Sequence, residues 1–186
     1  MRPKFYALCG LIPSQFGAEV ARLMRQVGFV ELHFEYETYG ADLNFDSYRQ
    51  VKDSLATAGY DLQPDQVSGF VYIGLPNDEL EIIIRHMLTL FEIFGSVILK
   101  PWSPTPGTPL YFHHRDSFDA LRIERLSPHF FPFSRANGIT LKEYEELYVL
   151  AAALNQKVRS KSFDLFPGTL AYEMIRSSFA REVWKV

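Results

Sequence analysis

Apolar and polar residues follow two different periods along the first hundred residues of the chain. Residues 4–9, 67–73 and 96–100 are short, mainly apolar runs, and residues 29–36 alternate apolar with polar side chains. Runs of this length and period are typical of β-strands, and Gly10 is expected to end the first of them. The pattern therefore predicts four strands.

Between these strands, three segments carry apolar residues at helical spacing. The first is expected to begin at Ser14 as N-cap and to end at Gly28, and the others cover residues 45–59 and 78–94. The apolar stripe of the first helix consists of Phe16, Val20, Leu23, Met24 and Val27. Because strands and helices alternate with connections of βαβ length, we expect an α/β fold in which helices pack over a parallel sheet.

The pattern changes after the proline-rich segment 101–109, where prolines forbid regular structure. One further short strand is predicted over residues 121–126, followed by an aromatic loop over 128–135. Thr140 and Glu143 have capping-box spacing and predict the start of a helix. Its apolar face is expected to hold Tyr144, Leu147, Ala151, Leu154 and Val158. A last helix is expected after Gly168, so that the C-terminal third is mostly helical and packs on the sheet.

Composition excludes several classes of function. A chain of 186 residues suffices for one domain with a core, and its formal net charge of -3 creates no field that would draw it onto nucleic acid or an anionic membrane. Charged residues interrupt the apolar stretch 80–94, which predicts a buried helix and not a membrane span. The N-terminus shows no apolar signal region, so we expect a cytoplasmic protein. A single cysteine, Cys9, excludes an intrachain disulfide and a cysteine-rich metal site.

Three segments are similar to one known family. In the first, residues 24–38, a Gly-Phe pair leads into a strand that ends in Glu37–Thr38. In the second, residues 69–79, a glycine-containing strand is followed by Gly-Leu-Pro and an acidic helix start. The third, residues 100–110, is a loop that follows a strand. In this order and spacing they resemble the later βα units of radical S-adenosylmethionine (radical SAM) enzymes, particularly the subgroup that often carries a cobalamin-binding domain ahead of the barrel. The resemblance covers residues 1–110 well and the helical remainder loosely.

The chain departs from the family in one respect. The Cys-x-x-x-Cys-x-x-Cys loop that binds the family's 4Fe–4S cluster is absent. The resemblance therefore implies the back half of such an enzyme, beginning near its third strand. The expected fold is a partial (β/α) barrel of four to five mostly parallel strands over residues 1–110, with helices outside, followed by a helical extension over 111–186 in the same structural unit. Unpaired sheet edges are a liability in solution, so we expect the C-terminal helices or another chain to cover them.

The resemblance also implies cofactors and site residues. S-adenosylmethionine and a 4Fe–4S cluster are the implied cofactors, with the cluster bound outside this chain. Glu37 would contact the ribose or the amino acid part of S-adenosylmethionine, and Ile73, Gly74, Leu75 and Pro76 would lie against its adenine. The alternative is that Glu37 is an exposed loop carboxylate and Gly74 only ends a strand.

Other candidates follow from the residues themselves. Glu35 and Glu37 point the same way along one strand and are compatible with paired-carboxylate chemistry. His113 and His114 with Asp116 suggest a metal site, although a polar loop is the favoured interpretation. Cys9 is expected to be a small buried side chain. The aromatic residues of the C-terminal third are interpreted as a partner groove or as ordinary core: Tyr111, Phe112, Phe130, Phe131 and Phe133.

Two functions of different classes remain open. The chain is expected to be the C-terminal portion of a radical SAM protein that supplies part of the S-adenosylmethionine pocket and of the substrate wall, inactive alone. Its partner would then be a chain that carries the N-terminal barrel half, or a second copy that covers the open edge. The alternative is a non-catalytic protein-interaction module on a degenerate scaffold of this kind. A metal-independent hydrolase has no nucleophile constellation to support it.

Overall fold

The computed structural model describes residues 3–35, 45–62, 66–103, 105–118 and 138–160. The elements are β1 (Phe5–Leu11), a 3-10 turn (Pro13–Gln15), α1 (Ala18–Val27), β2 (Phe29–Phe34), α2 (Asp46–Thr57), β3 (Val67–Ile73), α3 (Leu80–Phe94), β4 (Val97–Pro101), α4 (Pro109–His113), α5 (Arg115–Phe118) and α6 (Leu141–Ser160). The strand predicted over 121–126, the aromatic loop over 128–135 and the helix after Gly168 lie outside the described residues.

The four strands form one parallel sheet in the order β1-β2-β3-β4. β3 and β4 pair without interruption, from Gly69 opposite Val97 to Ile73 opposite Pro101. β2 pairs with β3 over a shorter stretch, and the pairing of β1 with β2 is irregular. The predicted α/β class, with a parallel sheet and helices over it, is confirmed.

Helices α1 to α3 connect neighbouring strands and cover one face of the sheet. The Phe34 ring stacks on the Phe94 ring of α3 at 5.3 Å. A Cβ added at Gly69 would lie 3.1 Å from the Cβ of Leu90, so α3 packs directly on β3. Right-handed crossovers between sequential parallel strands place successive helices on the same side, which accounts for this helix face of the sheet.

The start of α1 differs from the prediction. Ser14 does not cap the helix, because Pro13–Gln15 folds into a 3-10 turn and the N-cap is Gly17. Gly10 does not end β1 either. Its positive φ of 98° lets the chain form an irregularity inside β1, and the strand continues to Leu11.

The apolar stripe of α1 is only partly buried. Phe16, just before the helix, lies in the core, and the partly buried Met24 packs against the core. The other three members of the stripe, Val20, Leu23 and Val27, are exposed. Much of α1's apolar surface is therefore left uncovered by the described part of the chain.

Helix α6 begins with the predicted capping box. The Glu143 backbone N–H donates to Thr140 Oγ1, and the Thr140 backbone N–H donates to the Glu143 carboxylate at 2.7 Å. Four residues of the predicted apolar face are buried as expected: Tyr144, Leu147, Ala151 and Leu154. α6 contacts α3 and β4, so this part of the C-terminal region packs on the sheet.

The third helix begins two residues later than predicted. Its first residue is Leu80, because the chain turns at residues 76–77 and the Asp78 side chain accepts hydrogen bonds from the preceding loop. Among the described helices, none combines the length and the apolar character that a membrane span requires.

Candidate functional site at the carboxyl ends of the strands

The carboxyl ends of the parallel strands meet at one end of the sheet. In parallel α/β proteins this is where binding and catalytic groups gather, because the strands hold the following loops in place. Here the loops that follow β2, β3 and β4 begin at Glu35, Gly74 and Trp102. The candidate site is built from these loop starts and from the last residues of each strand.

One face of the sheet carries polar and aromatic side chains in place of the aliphatic residues that meet the helices. We call it the polar face and define it by residues on or just after β2, β3 and β4 that contact one another: Glu31, His33, Glu35, Phe70, Tyr72 and Lys100. Side chains in a strand alternate between the two faces, so this set and the residues facing α3 are on opposite sides.

Glu35 and Tyr72 form the hydrogen bond nearest the strand ends. The Tyr72 hydroxyl donates to Glu35 Oε1 at 2.8 Å. Gly10 of β1 makes room for this carboxylate, since a Cβ at Gly10 would lie 2.7 Å from the Glu35 Cβ and 2.8 Å from its Oε2. Three neighbouring strands thus fix the position of one carboxylate.

Lys100 lies beside this pair. Its Nζ is 4.7 Å from the centroid of the Phe70 ring and 5.8 Å from that of Tyr72. An ammonium over an aromatic face is attracted by the ring's negative quadrupole. The register of β3 and β4, with Tyr72 opposite Lys100, brings these side chains together.

A second ionisable pair lies nearer the amino ends of the strands. His33 Nε2 and Glu31 Oε1 are 2.8 Å apart, and the His33 ring packs edge-on against Phe70. The polar face therefore carries two acidic groups, an imidazole and an ammonium around one phenyl ring.

The segment predicted to face adenine occupies the start of the β3–α3 loop. Ile73 is fully buried in the core, and Gly74 has a φ of 88°. The Gly74 and Leu75 N–H groups both donate to Asp78 Oδ2, at 2.6 and 2.9 Å. Within this segment, those two donors and the Ile73 carbonyl, which accepts from the Trp102 N–H at 2.8 Å, already have partners.

Asp78 organises that loop. Burial raises the pKa of its carboxyl to about 6, although the two backbone N–H groups act in the opposite direction. The Gly-Leu-Pro turn is therefore held by a carboxyl group that titrates near neutral pH.

A pocket of about 600 Å³ lies where β3 and β4 end. Its lining includes Tyr72, Lys100, Trp102, Thr105, Thr108 and Leu110. Volumes of this size are typical of small-molecule sites. Thr108 shapes the pocket wall as the N-cap of α4, where its Oγ1 accepts from the Tyr111 N–H.

The remaining sequence candidates have different outcomes. Glu37, and with it the predicted Glu35–Glu37 pair, lies outside the described residues. Cys9 is exposed, which contradicts its predicted burial and follows from the position of β1 at the edge of the sheet. His113 and His114 lie with their rings in contact at 4.8 Å, and the described residues contain no group of three His, Cys, Asp or Glu placed to hold a metal.

Of the aromatic candidates, Phe112 is exposed, and the Tyr111 ring contacts its ring edge-on. The other three, Phe130, Phe131 and Phe133, lie outside the described residues.

Sequence reasoning missed Tyr72 and Lys100 as individual site residues. The signal was present in the alternation of β3 and β4, which places Phe70, Tyr72 and Lys100 on the same face as Glu35 once the strands are taken as parallel and in register. The sequence alone does not fix that register.

Comparison of the chain with protein-family models, with curated proteins and with solved structures found no match. The fold and the site define a parallel α/β protein with a polar sheet face and a pocket at the carboxyl ends of its strands.

Proposed function

We propose that this chain is the C-terminal portion of a radical SAM protein, in which it supplies part of the S-adenosylmethionine pocket and of the substrate wall. The observation that carries the proposal is the convergence of Glu35, Tyr72 and Lys100 with a pocket at the carboxyl ends of sequential parallel strands. In (β/α) barrels this end binds the reactants. The same strand ends bear the segments that resemble the family.

The proposal includes a partial barrel. In a (β/α) barrel the helices cover the outer face of the sheet. Here α1 to α3 likewise cover one face, and the opposite face is polar. A barrel would continue from β1, whose far side has no strand partner among the described residues. The partner would be a chain carrying the N-terminal barrel half, or a second copy of this chain.

The residues fit the two implied cofactors differently. Three thiolates are needed to hold a 4Fe–4S cluster in this family, and Cys9 is the only cysteine of the chain, so the cluster would have to be bound by the partner. The Gly74 and Leu75 N–H groups already donate to Asp78, so S-adenosylmethionine would lie against Gly74 to Pro76 without using these two donors. Its polar groups would then meet Glu37, the polar residues beside the pocket such as Tyr72 and Lys100, or residues of the partner.

The test is anaerobic reconstitution with a polypeptide that carries the three-cysteine loop, such as the product of a neighbouring reading frame. We expect formation of 5'-deoxyadenosine only when both chains are present, and a loss of at least tenfold with Glu37→Gln. Calorimetry of this chain alone should show weak or no binding of S-adenosylmethionine. A matched control is Glu145→Gln, on an exposed position of α6. No 5'-deoxyadenosine from a stable, cluster-loaded complex would contradict the proposal.

The alternative, a protein-interaction module, is favoured by one specific observation. Large apolar side chains are exposed on β1, on α1 and at one position between them: Phe5, Tyr6, Leu8, Ile12, Val20, Leu23 and Val27. Exposed apolar patches are typical of binding sites for other proteins, and adjacent segments of the chain supply these residues. Under this alternative a partner binds at β1 without any cluster-dependent chemistry, and the reconstitution experiment separates the two functions.

A further inference from the structure

The pocket at the ends of β3 and β4 has a single charge and a largely apolar wall. Among the described residues that line it, only Lys100 is charged. Trp102, Pro109 and Leu110 supply apolar surface. A ligand that fits such a wall must bury an apolar body.

Lys100 has no anionic partner in the described part of the chain, where it makes no ion pair. Its contacts there are the faces of Phe70 and Tyr72, which restrict the ammonium to the pocket side of β4. A half-buried ammonium that lacks a counter-ion is costly, and an anion brought by a ligand offsets that cost.

Three of the four hydroxyl groups that line the pocket already donate within the chain. The Tyr72 hydroxyl donates to Glu35, and the Thr108 hydroxyl donates to the Thr105 carbonyl at 2.8 Å. The Thr105 hydroxyl donates to the Ser103 carbonyl at 3.4 Å. A phosphate group, with close to two charges and three strong acceptor oxygens, would find too few donors here, whereas a carboxylate needs fewer.

We propose that this pocket binds an organic monoanion, a carboxylate carried on an aromatic or aliphatic body, with the Lys100 ammonium as its counter-ion and Trp102 and Leu110 against its apolar part. The proposal goes beyond the function proposed above and does not depend on it. It applies equally to a substrate site and to a regulatory site.

The experiment is isothermal titration calorimetry of the full chain with three probes: 2-naphthylacetate, its uncharged amide and inorganic phosphate. We expect the carboxylate to bind about tenfold or more tightly than the amide, because hydrogen bonds to charged groups are the strong ones. Phosphate should bind more weakly than the carboxylate. Lys100→Gln should reduce the affinity for the carboxylate to that for the amide, and Lys100→Arg should retain most of it.

The matched control is Lys142→Gln, since Lys142 is a highly exposed lysine on α6 and should leave binding unchanged. Circular dichroism of each variant shows whether the fold is kept, and Lys100→Arg separates loss of charge from loss of packing. Equal affinities for carboxylate and amide, absence of binding by both, or carboxylate binding that survives Lys100→Gln would overturn the proposal. Tighter binding of phosphate than of the carboxylate would overturn the choice of a monoanion. Failure of the reconstitution experiment leaves this result unaffected.

Discussion

The two edges of the sheet differ: the β4 edge is covered by a helix of the same chain, whereas no described element covers the β1 edge. At the β4 edge, the Asn155 side chain of α6 accepts from the Val97 N–H at 3.0 Å and donates to the Val97 carbonyl at 2.8 Å. One amide thus replaces the neighbouring strand that Val97 lacks. At the β1 edge, Tyr6, Leu8 and Cys9 are exposed, and no described element lies beyond the strand.

The difference shows at which edge the sheet finds its partners within the same chain. β4 packs against α3 and α6, and the outward N–H and carbonyl groups of Val97 have a partner in α6. β1 and α1 have apolar surface without a match in the described part of the chain, and open edges of this kind invite pairing with another strand.

Replacing Asn155 should open the closed edge. In Asn155→Leu, the Val97 N–H and carbonyl lose their partners while remaining buried under α6. Each unsatisfied buried backbone group costs about 1–3 kcal/mol, so the free energy of unfolding should fall by about 4 kcal/mol in total. Urea denaturation followed by circular dichroism measures this loss. Asn77→Ala, at an exposed turn, is the matched control and should change the free energy by less than about 1 kcal/mol.

The closed half should also be pH-dependent through Asp78. The pKa of its carboxyl is about 6 in the folded protein against an ordinary value of 3.8, so the folded state favours the protonated group. The protonated Asp78 carboxyl therefore stabilises the folded protein below about pH 4, and this stabilisation is lost as the pH rises through 6. Relative to Asp78→Asn, which cannot ionise, the wild type should lose about 2 kcal/mol between pH 4 and pH 7. A constant difference across this range would contradict the assignment.

His86 acts in the opposite direction within the same pH range. Burial, with a contribution from Arg85, lowers the pKa of His86 to about 4 from an ordinary value of 6.5. Its contribution to stability is therefore present above pH 6.5 and lost as the pH falls toward 4. The contributions of the two groups to the wild-type curve should offset, so that Asp78→Asn becomes more stable with rising pH in a range where the wild type changes little.

At the open edge, Gly10→Ala tests how firmly β1 is held. The added Cβ would be strained at a φ of 98° and would lie 2.7 Å from the Glu35 Cβ, so we expect a loss of about 2 kcal/mol in the free energy of unfolding. Gly107→Ala is the control, since its φ of 91° is similarly strained but nothing lies within 4 Å of the added atom. If Gly10→Ala lowers the free energy of unfolding no more than the control does, β1 can shift away from β2 at little cost in free energy. The pairing of β1 with β2 would then be weak.

The sequence was sufficient for elements whose signal is local. The alternation of strands and helices predicted the parallel sheet, and the spacing of Thr140 and Glu143 predicted the α6 cap. Both depend on short-range geometry that every such segment shares. Ser14 failed as an N-cap for the same kind of reason: the adjacent Pro13 favours a tight turn, and no local pattern says which of the two wins.

The candidate site depends on register, which is not local. Tyr72 reaches Glu35 across 37 positions of sequence, and Lys100 joins them only because β4 pairs with β3 in one particular alignment. The exposure of Val20 and Leu23 shows the same limit: a helical period identifies an apolar stripe but does not say what covers it.

The smallest change in the free energy of unfolding is expected at Leu23. It tests whether a second copy of the chain covers α1 and β1 in solution. Leu23 on α1 and Val149 on α6 are 46% and 47% exposed, so they form a matched pair in the two halves. If nothing covers α1, Leu23→Glu and Val149→Glu should each lower the free energy of unfolding by a similar amount, about 1 kcal/mol, because roughly half of each side chain is buried. A second copy of the chain bound at α1 would make the Leu23→Glu loss much larger than the Val149→Glu loss and dependent on protein concentration, because dimerisation stabilises the folded state by mass action. Sedimentation of both variants at several concentrations therefore distinguishes a monomer that awaits a different partner from a homodimer that already covers β1.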